Sequence, residues 1–169
     1  MNDYELWLRQ AAREGLLIDT NLLVLLVVGK VNPSRIETYK RTTRYTEKDF
    51  RTLVKVMLNF SRLMTLPHVL AEVSNLTDMG GPELIQAREE LRSLMEVLEE
   101  PVLASRTAAL QTTYRLHGLT DAAIVAAAID RKCAVLTDEL GLFRALQTES
   151  VPVLNFAQVL DAAWNTASR

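Results

Sequence analysis

The sequence has little cysteine, little histidine and no long apolar run, and each shortage argues against a class of protein. Cys133 is the single cysteine in 169 residues, so no internal disulfide can form and nothing requires an oxidising compartment. No apolar run approaches the roughly 20 residues that cross a bilayer. Acidic and basic residues are mixed within residues 1–15, so we expect no secretory signal there. These features predict a cytoplasmic protein that does not enter a membrane.

Two kinds of functional motif are also missing from the sequence. Its two histidines and one cysteine are not grouped at the spacing of a zinc site, and there is no glycine-rich loop of the Walker type. What remains is an ordinary globular composition, with 49% apolar and 24% charged residues. We expect a single domain over residues 1–169, large enough to bury a proper core.

Charge is distributed unevenly along the chain. Residues 30–62 contain nine basic and three acidic residues, whereas the remainder contains ten basic and eighteen acidic residues. This basic helical insertion favours a polyanionic partner, and a solvated helical surface is the alternative. Within it, Lys48, Arg51 and Lys55 fall on one helix face, available to solvent or to phosphates. Tyr39 and Tyr45 either stack on bases or pack against helices.

Short apolar segments alternate with helical patterns, which indicates an α/β fold with a parallel sheet covered on both faces. Five strands are predicted, at residues 16–19, 63–66, 95–98, 134–136 and 151–154. Predicted helices cover residues 2–14, 22–28, 83–94, 105–117 and 157–164, and others begin near residues 33, 46, 69 and 120. Capping-box spacing marks two of these helix starts, at Ser34 with Glu37 and at Thr46 with Asp49.

Acidic residues stand at the predicted strand ends and helix starts. Asp19 ends the first strand, where it either caps the next helix or faces a ligand at the carboxyl edge of the sheet. The other acids placed in this way are Glu72, Asp121, Asp138 and Glu139. Carboxylates brought together repel one another unless a cation neutralises them, and oxygen ligands suit Mg²⁺ or Mn²⁺. The pattern therefore predicts a metal site that acts on a phosphate ester.

Four segments of the sequence resemble the PIN-domain nuclease family, in the family's order. They cover residues 17–21, 67–73, 119–128 and 135–138. The resemblance implies a three-layer α/β/α fold with a five-stranded parallel sheet, and a metal-dependent endoribonuclease that uses Mg²⁺ or Mn²⁺. Carried over to this chain, it makes Asp19, Glu72 and Asp121 metal-binding acids, with Asn21 and Thr137 as the polar residues that orient them. Lys48, Arg51 and Lys55 are then expected to bind RNA.

The sequence departs from the family pattern at three places. The fourth acid of the family stands two residues after the threonine, where this chain has Glu139, but an aspartate lies one residue earlier, and we prefer Asp138. The basic insertion and the N-terminal helix over residues 2–14 are additions. Small bacterial members are commonly toxins with an antitoxin partner. We therefore expect RNA, a small antitoxin protein and a second copy of this chain as partners.

Other functions remain open at the level of sequence. A PIN-like module without activity would bind only RNA or a protein. A phosphohydrolase of the haloacid dehalogenase type also begins from an aspartate at a strand end, but it needs a second aspartate where Asn21 stands. His68 lies on the same helix face as Glu72 and either lines the site or marks the helix start, whereas His117 is interpreted as a helix-end residue.

Overall fold

A computed structural model describes the backbone of residues 13–167 and the side chains of residues 13–163. Within that part, four strands form one parallel sheet in the order β2-β1-β3-β4. Their bounds are Leu16–Ile18 for β1, Leu63–Met64 for β2, Ala134–Thr137 for β3 and Val153–Asn155 for β4. Most of the N-terminal helix predicted over residues 2–14 lies outside the described residues.

Helices connect each strand to the next. They are α1 (Thr20–Val31), α2 (Glu47–Met57), α3 (Pro67–Leu76), α4 (Gly81–Val97), α5 (Ser105–Ala108), α6 (Thr113–His117), α7 (Leu119–Arg131), α8 (Leu140–Thr148) and α9 (Phe156–Ala167). None of the helices in residues 13–167 has both the length and the apolar character needed to cross a membrane.

The core lies between the sheet and the helices packed on it. All three residues of β1 are buried, and they pair with β3 from Leu16 opposite Ala134 to Ile18 opposite Leu136. Helix α1 is apolar around its whole circumference because it packs against α2, α3 and α4. Helix α7 is buried over residues 121–128, where alanines allow close packing. This arrangement is compatible with three layers and confirms the α/β class.

The prediction of five strands is wrong, since the described sheet has four. Residues 95–97, predicted as part of the third strand, form the last turn of α4, because Leu91, Leu94 and Leu98 continue one buried helical stripe. Only Glu99 reaches the sheet, through a single parallel bridge to Met64. Pro101 has no N–H with which to extend that bridge into a ladder.

Two predicted helices are also shorter than their sequence patterns indicate. Pro33–Arg35 forms only a 3-10 turn, and the side chain of Asn32, rather than that of Ser34, caps it. The helix predicted over residues 105–117 is two short helices, α5 and α6. By contrast, the capping box of Thr46 and Asp49 is present at the start of α2, so that prediction is confirmed.

Candidate functional site

Asp19 stands where β1 ends and α1 begins, so it serves as a helix cap and also lies at the carboxyl edge of the sheet. One carboxylate oxygen accepts a hydrogen bond of 2.6 Å from the backbone N–H of Thr20. The other accepts one of 2.7 Å from the hydroxyl of Thr137, at the end of β3. Asp19 is 2% exposed. Burial raises its pKa, the hydrogen bond from Thr137 lowers it, and the charges of Asp121 and Asp138 raise it, with the result that the pKa is about 7.

Asp121 reaches the same edge from the first turn of α7. Asp121 is 8% exposed. Burial and the charges of Glu139 and Glu72 together raise its pKa to about 7. No hydrogen bond or ion pair to Asp121 is present within residues 13–163. Burial and the neighbouring acids together disfavour its charged form.

Glu72 approaches from α3, the helix that follows β2. The hydroxyl of Thr20 donates a hydrogen bond of 3.3 Å to its carboxylate. Because Thr20 also donates its backbone N–H to Asp19, one residue at the start of α1 contacts two of the predicted acids. Glu72 is close enough to Asp121 to raise its pKa.

Asp138 and Glu139 are neighbours in sequence but have different surroundings. The carboxylate of Asp138 forms an ion pair of 2.5 Å with Arg44, accepts a hydrogen bond from the hydroxyl of Tyr45, and lies 3.4 Å from the amide nitrogen of Asn21. Its side chain is 7% exposed, and burial raises its pKa while Arg44 lowers it. Glu139 instead lies beside Asp121. Asn21 thus orients Asp138.

His117, at the end of α6, joins this group of side chains. One nitrogen of its ring and one carboxylate oxygen each from Asp121 and Glu139 all lie within 4.8 Å of one another. Gly118, with φ of 90°, separates α6 from α7 and turns the chain between His117 and Asp121. Interpreting His117 only as a helix-end residue misses this proximity, because the approach of α8 to α6 has no local sequence signal.

The structure brings together the predicted acids but leaves His68 in other surroundings. The imidazole of His68 forms a hydrogen bond of 2.9 Å with the hydroxyl of Ser105, at the start of α5. The sequence does not predict Arg44 as a site residue, and it marks Tyr45 only as a residue that stacks on bases or packs against helices, although both contact Asp138. Their position in the basic insertion, directly before the α2 capping box, is the only sequence signal that marks them.

The three basic residues predicted to bind RNA are exposed on α2. They line an open pocket of about 480 Å³, to which Val159 of α9 also contributes. Arg51 also forms an exposed ion pair of 2.5 Å with Glu47. Since α2 begins two residues after Tyr45, which contacts Asp138, the N-terminal end of α2 is connected directly to the site.

Comparisons with known protein families and curated proteins found no match for this chain. No model of a protein family matches the chain, and no match was found among curated proteins.

Proposed function

We propose that this protein is a divalent-metal-dependent endoribonuclease of the PIN type, acting on RNA phosphodiester bonds in the cytoplasm. The observation that carries the proposal is the meeting of Asp19, Glu72, Asp121 and Glu139 at one edge of the sheet. Asp19 and Asp121 are buried, and burial together with the charges of Glu139 and Glu72 raises the pKa of Asp121. A bound cation resolves the repulsion that such a group creates.

The donor atoms at this edge fit Mg²⁺ or Mn²⁺. Asp19, Glu72, Asp121 and Glu139 supply hard carboxylate oxygens, which both ions accept. We assign the fourth acid to Glu139 rather than to Asp138, because Asp138 is already paired with Arg44 and bonded by Tyr45. A divalent ion held there would supply the Lewis acidity that activates water and stabilises charge on the phosphate.

The protein's own residues then position the substrate. The guanidinium of Arg44 lies at the rim of the acids and its side chain is 54% exposed, so it is available to a phosphate while Asp138 holds it in place. Lys48, Arg51 and Lys55 extend this positive surface along α2. Contacts of this kind bind the RNA backbone without reading base sequence.

The test is cleavage of a single-stranded RNA in Mg²⁺, in Mn²⁺ and in EDTA. We expect wild-type protein to cut only with metal, and Asp121→Asn to lose cleavage. Asp130→Asn, an exposed change near the other end of α7, is the matched control and is expected to cut like wild type. Cleavage by Asp121→Asn at the wild-type rate, or in EDTA, would rule out the proposed site.

A module that binds RNA or an antitoxin without catalysis is the second candidate, and the Arg44–Asp138 ion pair favours it. This pair supplies a protein cation beside the acids without any metal. A binding module predicts that RNA is retained in EDTA and is never cut with either metal. An antitoxin partner predicts instead that α2 binds an acidic protein surface.

A further inference from the structure

A groove between α6 and α8 opens beside the acids. Its volume is about 360 Å³, within the range of sites that hold small molecules. Gly141, Arg144 and Thr148 line it at every third or fourth position of α8, so one face of that helix forms a wall of the groove. This wall is about 10 Å long, because seven residues separate Gly141 from Thr148 at a rise of about 1.5 Å each. The groove therefore has room for one nucleotide.

His117 lines the end of the groove nearest the acids. A Cβ atom added at Gly141 would lie 2.5 Å from the Cε1 atom of His117, so the imidazole packs directly on α8. One nitrogen of the same ring lies within 4.8 Å of carboxylate oxygens of Asp121 and Glu139. A nucleotide that follows or precedes a phosphate held at these acids is therefore adjacent to the groove. An imidazole ring at this end also offers a surface on which an unpaired RNA base stacks.

Arg144 and Glu149 give the groove one positive and one negative group, and both residues are exposed. A guanidinium donates two hydrogen bonds to O6 and N7 of guanine, the commonest specific contact between arginine and a base. A carboxylate accepts hydrogen bonds from the N1–H and the N2 amino group of the same base. Adenine has an acceptor at N1 and an amino group at N6, so it faces a carboxylate and a guanidinium with the wrong groups. This pair of side chains therefore favours guanine.

We propose that the groove between α6 and α8 binds the guanine nucleotide next to the phosphate that is cleaved, with Arg144 and Glu149 reading the base. Sequence preference then comes from this groove, whereas the phosphate contacts of α2 supply affinity without reading bases. The role of the groove in cleavage rests on the proposed nuclease, but its binding of a guanine nucleotide does not.

The test measures mononucleotide binding to metal-free protein, without RNA. GMP, IMP and AMP are titrated in EDTA, and shifts of backbone amide resonances report the affinity and the residues affected. We expect GMP to bind most tightly and to shift the resonances of α6 and α8. IMP lacks only the N2 amino group and should bind less tightly than GMP, and AMP should bind at least about fivefold less tightly than GMP.

Two variants remove the base contacts one at a time. Arg144→Ala should lower the affinity for GMP at least about fivefold. Glu149→Gln keeps one acceptor instead of two, so its affinity for GMP should fall towards that for IMP. Arg131→Ala removes an exposed arginine outside the groove and should bind all three nucleotides like wild type. The amide spectrum shows whether each variant is folded, and either groove variant decides if the other is not.

Cleavage of a single-stranded RNA with Mg²⁺ then connects the groove to the cut. We expect wild-type fragments to end next to guanine, and Arg144→Ala to cut the same RNA without that preference. Selective GMP binding without any cleavage supports the groove as a guanine site and contradicts the nuclease. Cleavage without selective GMP binding supports the nuclease and overturns the groove. Equal binding of the three nucleotides, or binding unchanged in both groove variants, also overturns it, because the shared phosphate would then account for the affinity.

Discussion

The hydroxyl of Thr137 links the ends of two neighbouring strands: it donates a hydrogen bond of 2.7 Å to Asp19 and accepts one of 3.0 Å from the N–H of Glu139. A single side chain at the end of β3 therefore orients one acid directly and the backbone of another. The strand pairing of Ile18 with Leu136 sets this distance, because it brings the residues that follow β1 and β3 side by side.

Replacing Thr137 by valine should weaken metal binding. Valine has a similar shape but lacks the hydroxyl that lowers the pKa of Asp19, so that pKa should rise above about 7 and leave the group mostly protonated at neutral pH. The loss of one orienting residue behind a ligand typically reduces metal affinity by about 10–100-fold. Calorimetric titration of Mn²⁺ at pH 7 measures the change, and Thr137→Ser, which keeps the hydroxyl, should bind like wild type.

The metal-free protein should lose stability as the pH rises from about 4 to about 7. The pKa of Asp19 is raised in the folded state, so folded protein keeps a proton that the unfolded chain releases, and unfolding becomes easier with increasing pH. Each unit by which the pKa of a group differs between the folded and the unfolded state corresponds to about 1.4 kcal/mol in the free energy of unfolding. Asp19→Asn removes this titration, so its free energy of unfolding in EDTA should exceed that of wild type at pH 7 and approach it at pH 4. Denaturant unfolding measures both proteins at the two pH values, and a wild-type protein that gains stability relative to Asp19→Asn as the pH rises would contradict the expectation.

Much of the fold follows from local patterns, and the errors come from distant contacts. Buried apolar segments mark β1 and β3, and a polar residue directly after each must lie at the carboxyl edge, which is why the sequence predicts Asp19 there. The segment before Glu99 is ambiguous in sequence, because a short apolar stretch suits either a strand or a helix end. The helical spacing that continues through Leu91 and Leu94 decides it.

A site residue can be predicted from the sequence only where its own helix or strand fixes its position. Asp121 follows from its place in the first turn of α7. His117 and Arg44 do not, since each approaches an acid through a turn whose path depends on packing elsewhere in the chain. The choice between Asp138 and Glu139 has the same origin, because adjacent residues after a strand point in different directions and sequence alone does not say which one meets Asp121.

Asp138→Asn should reduce metal affinity and RNA cleavage less than Glu139→Gln does. Glu139 lies with Asp121, so Glu139→Gln should reduce metal affinity and RNA cleavage by more than the roughly 10–100-fold expected for a supporting residue. Asp138→Asn keeps a partner for Asn21 and leaves Arg44, which is largely exposed, free to hydrate. Measured side by side, a larger loss in Asp138→Asn would return the fourth ligand to Asp138.

The basic face of α2 should contribute affinity for RNA but not the position of the cut. Lys48 and Lys55 are seven residues apart on the helix with Arg51 between them, a separation of about 10 Å along the axis, which is enough to follow a stretch of RNA backbone. Each phosphate contact that is lost should reduce the slope of log affinity against log salt by about 0.7 for a single strand. Replacing all three residues by alanine should therefore weaken binding most at low salt, while the fragments produced from one RNA stay the same.

A matched triple variant separates a specific path from general charge. Arg88, Arg92 and Lys132 lie outside α2, and their replacement by alanine changes the net charge by the same amount. If α2 guides RNA, only the α2 variant flattens the salt dependence. Equal flattening in both variants would mean that RNA responds to overall charge. An unchanged slope in the α2 variant, combined with loss of an acidic protein partner, would assign this face to an antitoxin, because the same three cations would then be covered by protein instead of phosphate.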